Sequence, residues 1–308
     1  MIRMILHIGL LLLLNVSIGV VVLTVHDGGL VFAPWEIDAL MPVLPEDESR
    51  DVVLLGSSHG YVLSRFRDHH AIVETETGLS VFNMSMPSGG GVRPARIYLD
   101  YYFDEGNTAE QVCYLLDPFA VFGEGGNDGH KFVYFESFRP SFLMHLIKQR
   151  YPARRILTYV QSKFTYAWWT QDAELMIGHE GTMAVKPYTP ALIQKRMDSL
   201  YQDGLSEAYF EKYSAELEAI MARCVAEGSK LTLIMPPTLL GEEPGEAKLL
   251  AWLAEKEGQY DFTFHDWVDV YADDLEFFYD LDHLNTNGVE RFVKEYLGPV
   301  LQGEAVKP

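Results

Sequence analysis

The chain has 308 residues, 48% of them hydrophobic and 22% charged, the balance of a folded globular chain rather than a disordered one. Its 44 acidic residues against 24 basic ones leave a formal net charge of -20. Nucleic-acid binding, which needs Lys and Arg to neutralise phosphates, is excluded on that balance, and lying flat on an anionic membrane face is disfavoured. The acidity reads most simply as the charge that keeps an exported domain soluble.

From Met4 to Val25 the chain runs 22 residues with no acidic or basic side chain other than His7. As a helix that is about 33 Å, against a hydrocarbon core of roughly 30 Å. Arg3 precedes the run and Asp27 follows it, so residues 1–25 are expected to be a single-pass signal anchor with a cytoplasmic N-terminus and a periplasmic or extracellular bulk. A cleaved signal peptide is the competing reading. Its apolar region is normally shorter, and no small-x-small cleavage site follows Val25. Residues 26–50, with Pro34, Pro42 and Pro45 and the acidic Glu46-Asp47-Glu48, read as an extended extracytoplasmic tether.

The rest, residues 51–308, alternates strands and helices. Residues 51–55 form a continuous apolar run closed by Gly56, as a strand buried on both faces requires. Further strands are expected at 79–84, 111–116, 230–235 and 261–264. Helices are expected at about 94–103, along the stripe Phe210, Tyr213, Leu217, Ile220 and Cys224 ending near Gly228, around Leu249, Leu250 and Leu253, and from Asn287 with Glu290 as a capping pair. This predicts an α/β fold, three layers α/β/α around a mostly parallel five-stranded sheet. The gap between the third and fourth strands is too long for one crossover helix, so a helical insertion is expected at about 120–229, over the strand ends where such sheets bind ligands. Cys113 and Cys224 lie in no CxxC pattern and read as core residues, with a disulfide between them left open.

Gly56-Ser57-Ser58-His59-Gly60 follows the first strand directly and matches G-x-S-x-G, small residues that allow a tight strand-to-helix turn and expose the serine hydroxyl. Near the other end, Asp280-Leu281-Asp282-His283-Leu284-Asn285 places an acid and a histidine three residues apart. Asp280 can then hold the imidazole of His283 by Nδ1–H, leaving Nε2 to take the proton of Ser58. In the competing readings Ser58 is a turn serine, Asp280 caps the last helix, and Asp282 is the partner of His283.

A serine after the first strand with a C-terminal D-x-x-H resembles the SGNH (GDSL-type) hydrolase superfamily. Gly56-Ser57-Ser58-His59 with Asp280-x-x-His283-Leu284-Asn285 is similar to its membrane-anchored cell-envelope members, those of polysaccharide O-acetylation and teichoic-acid D-alanylation. The resemblance implies a flavodoxin-like fold, a Ser58–Asp280–His283 triad, no cofactor, and a membrane-bound acyltransferase as partner. It also implies three oxyanion donors: the N–H of Ser58, a glycine after the second strand (Gly89 or Gly90), and an asparagine after the third. That strand ends instead in Asp117, whose ionised carboxylate repels an oxyanion. Gly125-Gly126-Asn127-Asp128 lies about ten residues later, so Asn127 has to loop back to serve.

The expected activity is a serine acyltransferase or esterase acting on O-acetyl or similar acyl esters of an envelope polysaccharide or glycopolymer through an acyl-enzyme. The alternative is a catalytically weak or inactive protein of the same fold that binds polymer or partner in an envelope assembly; a lipase or thioesterase is a third. His59 either lines the pocket or points to solvent, and Trp168 and Trp169 either stack on sugar rings or pack in a core. The remaining histidines form no H-E-x-x-H-type spacing, so no metal site is expected.

Overall fold

The computed structural model describes residues 2–31, 47–64, 69–86, 90–129, 133, 138–164, 186 and 188–304. Five strands form one parallel sheet: β1 (Ser49–Gly56), β2 (Val81–Asn83), β3 (Thr108–Leu115), β4 (Lys230–Met235) and β5 (Thr263–Asp266). The spatial order is β2-β1-β3-β4-β5, that of flavodoxin-like doubly wound sheets. In chain order the helices are α1 (Ile2–Val31), α2 (Ser58–Tyr61), α3 (His69–Thr77), α4 (Val92–Asp104), α5 (Glu124–Asn127), α6 (Pro140–Lys148), α7 (Ala153–Ser162), α8 (Pro190–Leu200), α9 (Glu207–Glu227), α10 (Glu246–Lys256), α11 (Thr286–Phe292) and α12 (Gly298–Leu301).

Side chains alternate across the sheet. Val53, Leu55, Val112 and Tyr114 face one core with residues of α4, α9 and α10; Val52, Leu54, Cys113 and Leu115 face a second core with residues of α3 and α11. This is why the C-terminal halves of β1, β3 and β4 read as apolar runs: both faces are covered there. The predicted α/β class, five strands and parallel pairing are therefore observed. Strand ends differ by up to three residues, as sequence reading allows.

Three expectations change. The helix α9 is not part of an inserted cap. Its stripe Phe210, Tyr213, Leu217, Ile220 and Cys224 packs in the first core, and it ends at Gly228 in the left-handed conformation (φ 71°) just before β4, so it is the ordinary crossover from β3. The added material is the stretch before it, α5 to α8. The last helix is capped by Asn285, whose side chain accepts from Gly288 N–H at 3.0 Å, and not by Asn287 with Glu290. Cys113 and Cys224 are both free and sit in different cores on opposite faces of the sheet, which rules out the disulfide left open by sequence.

α1 continues to Val31, past the expected end of the anchor at Val25, and the greater part of the expected tether lies outside the described residues. Its side chains are described over residues 6–22, about 26 Å of helix. Leu6, Leu10, Leu11, Leu12, Leu13, Leu14, Val16 and Ile18 are exposed there. Among the described residues no helix is long and apolar enough to cross a membrane, so the expected transmembrane helix is not supported.

The register of β1 on β3, from Ser49 opposite Thr108 to Gly56 opposite Leu115, brings both strands to the same edge together. Residues just after them emerge side by side. The chain turns from β1 to β2 on one side and returns to β3 on the other, so this edge is the topological switch point, where open α/β sheets form their ligand crevice.

Candidate active site

Ser57 caps α2, its hydroxyl oxygen accepting from His59 N–H, so Ser58 and His59 occupy the first helical turn after β1. Asp117, two residues beyond β3, ties this turn down. One carboxylate oxygen accepts from the Ser57 hydroxyl and the other from His59 Nδ1–H. The carboxylate that sequence reading set against an oxyanion is thus committed to two neighbours of Ser58. His59 and Asp117 are both buried, so His59 does not point to solvent. Burial alone would lower the His59 pKa, but the charges of Asp117, Asp282 and Glu243 outweigh it and raise the ring to about 9.

The loop after β5 is held by a bridge between Phe278 and Leu284 and by Asp280, whose Oδ1 accepts from the N–H groups of Asp282 (3.0 Å) and His283 (2.8 Å). That local turn sets the His283 ring against the same carboxylate: Nδ1 lies 2.9 Å from both Asp280 oxygens and 3.5 Å from Asp282 Oδ1. Burial would raise the Asp280 pKa, but hydrogen bonding and charge from His283, with the two backbone donors, bring it down to about 2. Asp280 is therefore the partner of His283 and not a helix cap. With Nδ1 so engaged, Nε2 is the remaining ring nitrogen of His283. It is buried and has no hydrogen-bond partner among the described residues, Ser58 included. The His283 ring centroid is 5.0 Å from that of His59, the residue after Ser58. Hydrogen bonds of this type commonly close only when substrate binds.

The expected oxyanion groups divide. Gly90 packs directly on the turn: a Cβ there would lie 2.7 Å from Gly56 O and Met86 O and 2.8 Å from Ser57 Cα, so only glycine fits. Gly89 lies outside the described residues, as do Trp168 and Trp169. Asn127 does return to this edge, since Gly91 N–H donates to Gly126 O at 3.0 Å. Its amide is spent, however. Nδ2 donates to Ala120 O (2.7 Å) and Gly123 O (2.8 Å), while Oδ1 accepts from Arg93 N–H (3.0 Å). The side chain fastens its own loop to the start of α4, which corrects its assignment as an oxyanion donor.

Several groups at the site carry no signal in the sequence. Arg196 on α8 donates from Nε to both oxygens of the buried Asp282, at 3.2 and 3.0 Å, so the added segment reaches the site. His59 Nε2, like His283 Nε2, is buried without a hydrogen-bond partner among the described residues; Asp282 Oδ2 is 3.9 Å from it. Glu243 is buried and accepts from Tyr201 Oη at 2.9 Å, and burial with the nearby charge of Asp117 raises its pKa to about 7. A Ser-x-Asp pair sixty residues apart, or an arginine meeting an aspartate across eighty-six, has no local pattern to betray it.

No protein-family model matches the chain, and no curated protein matches it.

Proposed function

We propose that this protein is an extracytoplasmic serine esterase or acyltransferase that acts on acyl esters of a cell-envelope polysaccharide or glycopolymer. The observation that carries the reading is His283: its Nδ1 is held by Asp280, its Nε2 is buried and uncommitted, and its ring stands beside the turn that presents Ser58 at the switch point of the sheet. In this mechanism Ser58 Oγ attacks the ester carbonyl and His283 Nε2 takes its proton. The tetrahedral intermediate collapses, and the departing alcohol takes that proton from His283. The acyl-enzyme is then resolved by water in hydrolysis, or by an acceptor hydroxyl in transfer, each losing its proton to His283, which returns it to Ser58 Oγ as the acyl group leaves.

The glycopolymer substrate, the membrane-bound acyltransferase partner and the export of the domain come with the likeness of the two end motifs. Anchoring through residues 1–25 rests on the apolar run of the sequence from Met4 to Val25.

One observation favours a second reading, a binding or assembly protein that keeps the fold without the chemistry: both Asn127 amide hydrogens are taken. A missing oxyanion donor costs about 10²–10³ in rate. The test is a fluorophosphonate serine probe on the full-length chain, read by intact mass. One adduct in the wild type, absent from Ser58→Ala and His283→Ala, is expected. A folded wild type that takes no probe would overturn the serine mechanism and leave the binding role.

A further inference from the structure

Two imidazoles meet at the site with the same unusual wiring. His59 gives its Nδ1–H to Asp117, and His283 gives its Nδ1–H to Asp280. Each leaves its Nε2 buried, and neither nitrogen has a hydrogen-bond partner among the described residues. A carboxylate behind the far ring nitrogen is the usual support of a metal-binding histidine, because it fixes the tautomer and raises the basicity of the free nitrogen. A serine mechanism uses one such histidine and leaves His59 unexplained.

Asp282 completes the set. One ligand atom from each of His59, Asp282 and His283 can be chosen so that all three lie within 4.8 Å of one another, and all three residues are buried. Arg196 donates three hydrogen bonds to this carboxylate, from Nε to both oxygens and from Nη2 to Oδ2, out of about four acceptor positions. Charge points the same way. Asp282 and Asp280 act on the Arg196 guanidinium, and Asp117, Asp282 and Glu243 act on His59, an acidic cluster whose charge a divalent cation offsets.

We infer that His59, Asp282 and His283 form a binding site for a single divalent transition-metal ion of the zinc type. Two nitrogens and one oxygen suit zinc or cobalt, whereas magnesium and calcium prefer all-oxygen shells. Ligands of one tetrahedral ion stand about 3.4 Å apart, so the three side chains draw together by roughly 1 Å on loading, and the fourth position stays open. The ion uses the same His283 Nε2 that a serine reaction would need, so the metal-loaded and serine-active states exclude each other.

The test uses the full-length chain, stripped with chelator and titrated with zinc by calorimetry, and separately with cobalt, whose visible absorption reports a low-coordinate site. One ion per chain is expected, with an intense cobalt band. His59→Gln and His283→Gln should each weaken zinc by at least about 100-fold, while Ser58→Ala leaves it unchanged. Absence of stoichiometric binding and of the cobalt band in the wild type would overturn the inference without any variant having to fold. So would affinity that survives both glutamine substitutions. Fluorophosphonate labelling is recorded on the same samples with and without zinc. Failure to label in either state would count against the serine reading alone, since the cobalt band does not depend on Ser58.

Discussion

The Nδ1 of His283 is 2.9 Å from each carboxylate oxygen of Asp280, while Asp282, one residue away on the other side of Leu281, comes no closer than 3.5 Å. The two aspartates of the D-x-D-H run thus do different work: Asp280 fixes the tautomer, and Asp282 faces Arg196 and His59. Asp280→Asn should therefore reduce the rate of fluorophosphonate labelling by about 10³–10⁴ at neutral pH, the effect of losing the group that orients a catalytic imidazole. Asp282→Asn, compared per folded molecule, should change it by less than about tenfold. Equal losses in the two variants would remove Asp280 from its assigned role.

The Asp117 carboxylate is shared between Ser57 and His59, and all three side chains are buried. Removing one member of a buried pair strands the other without solvent or partner. Asp117→Ala should destabilise the fold by about 3–5 kcal/mol, read as a shift in the urea midpoint with unchanged slope. Ser57→Ala loses both the hydrogen bond to the Asp117 carboxylate and the cap on His59 N–H, and should cost at least about 1.5–3 kcal/mol. A neutral Asp117→Ala variant would mean the pair is replaced by water.

Much of the fold was legible because strand segments covered on both faces must be apolar, and the runs 52–55 and 233–235 say so locally. The turn that carries Ser58 and the contact of Asp280 with His283 were legible because each is set within three residues of chain. Asp117 pointed the wrong way in isolation. Its type suggested repulsion, and only the register of β1 on β3 shows that it meets Ser57 and His59 instead. Asn127 failed in the opposite sense. The motif around it is right and the chain does return, but two backbone carbonyls of its own loop take the amide hydrogens, a competition that no spacing encodes.

Gly90 lies on the turn that carries Ser58, with backbone atoms of Gly56, Met86 and Ser57 where a Cβ would go. None of these is a flexible side-chain end, so the added methyl has to push the turn. Gly90→Ala should cost about 1–3 kcal/mol of stability. Its labelling rate should also fall by more than about tenfold, because displacements near 1 Å at a reacting group have effects of that order or larger. Retention of the wild-type rate in a folded Gly90→Ala variant would separate this loop from the chemistry.

Away from the site, Asp128 closes the added segment onto α9 and α4: it pairs with Lys212 and Arg93 and accepts from Tyr213 Oη at 3.1 Å. Burial would raise its pKa, but the hydrogen bond from Lys212 and the charges of Arg93 and Lys212 outweigh this and hold it below the usual aspartate value. A depressed native pKa means that the unfolded chain binds the proton more readily. The Asp128 contribution is therefore fully present above the unfolded value of about 4, and is lost as pH falls through the lower native value. Urea midpoints taken between pH 7 and pH 3 should fall more steeply for the wild type than for Asp128→Asn, which is less stable at pH 7 and has no carboxylate there to titrate. Parallel pH profiles for the two would show that Asp128 gains nothing from its cations.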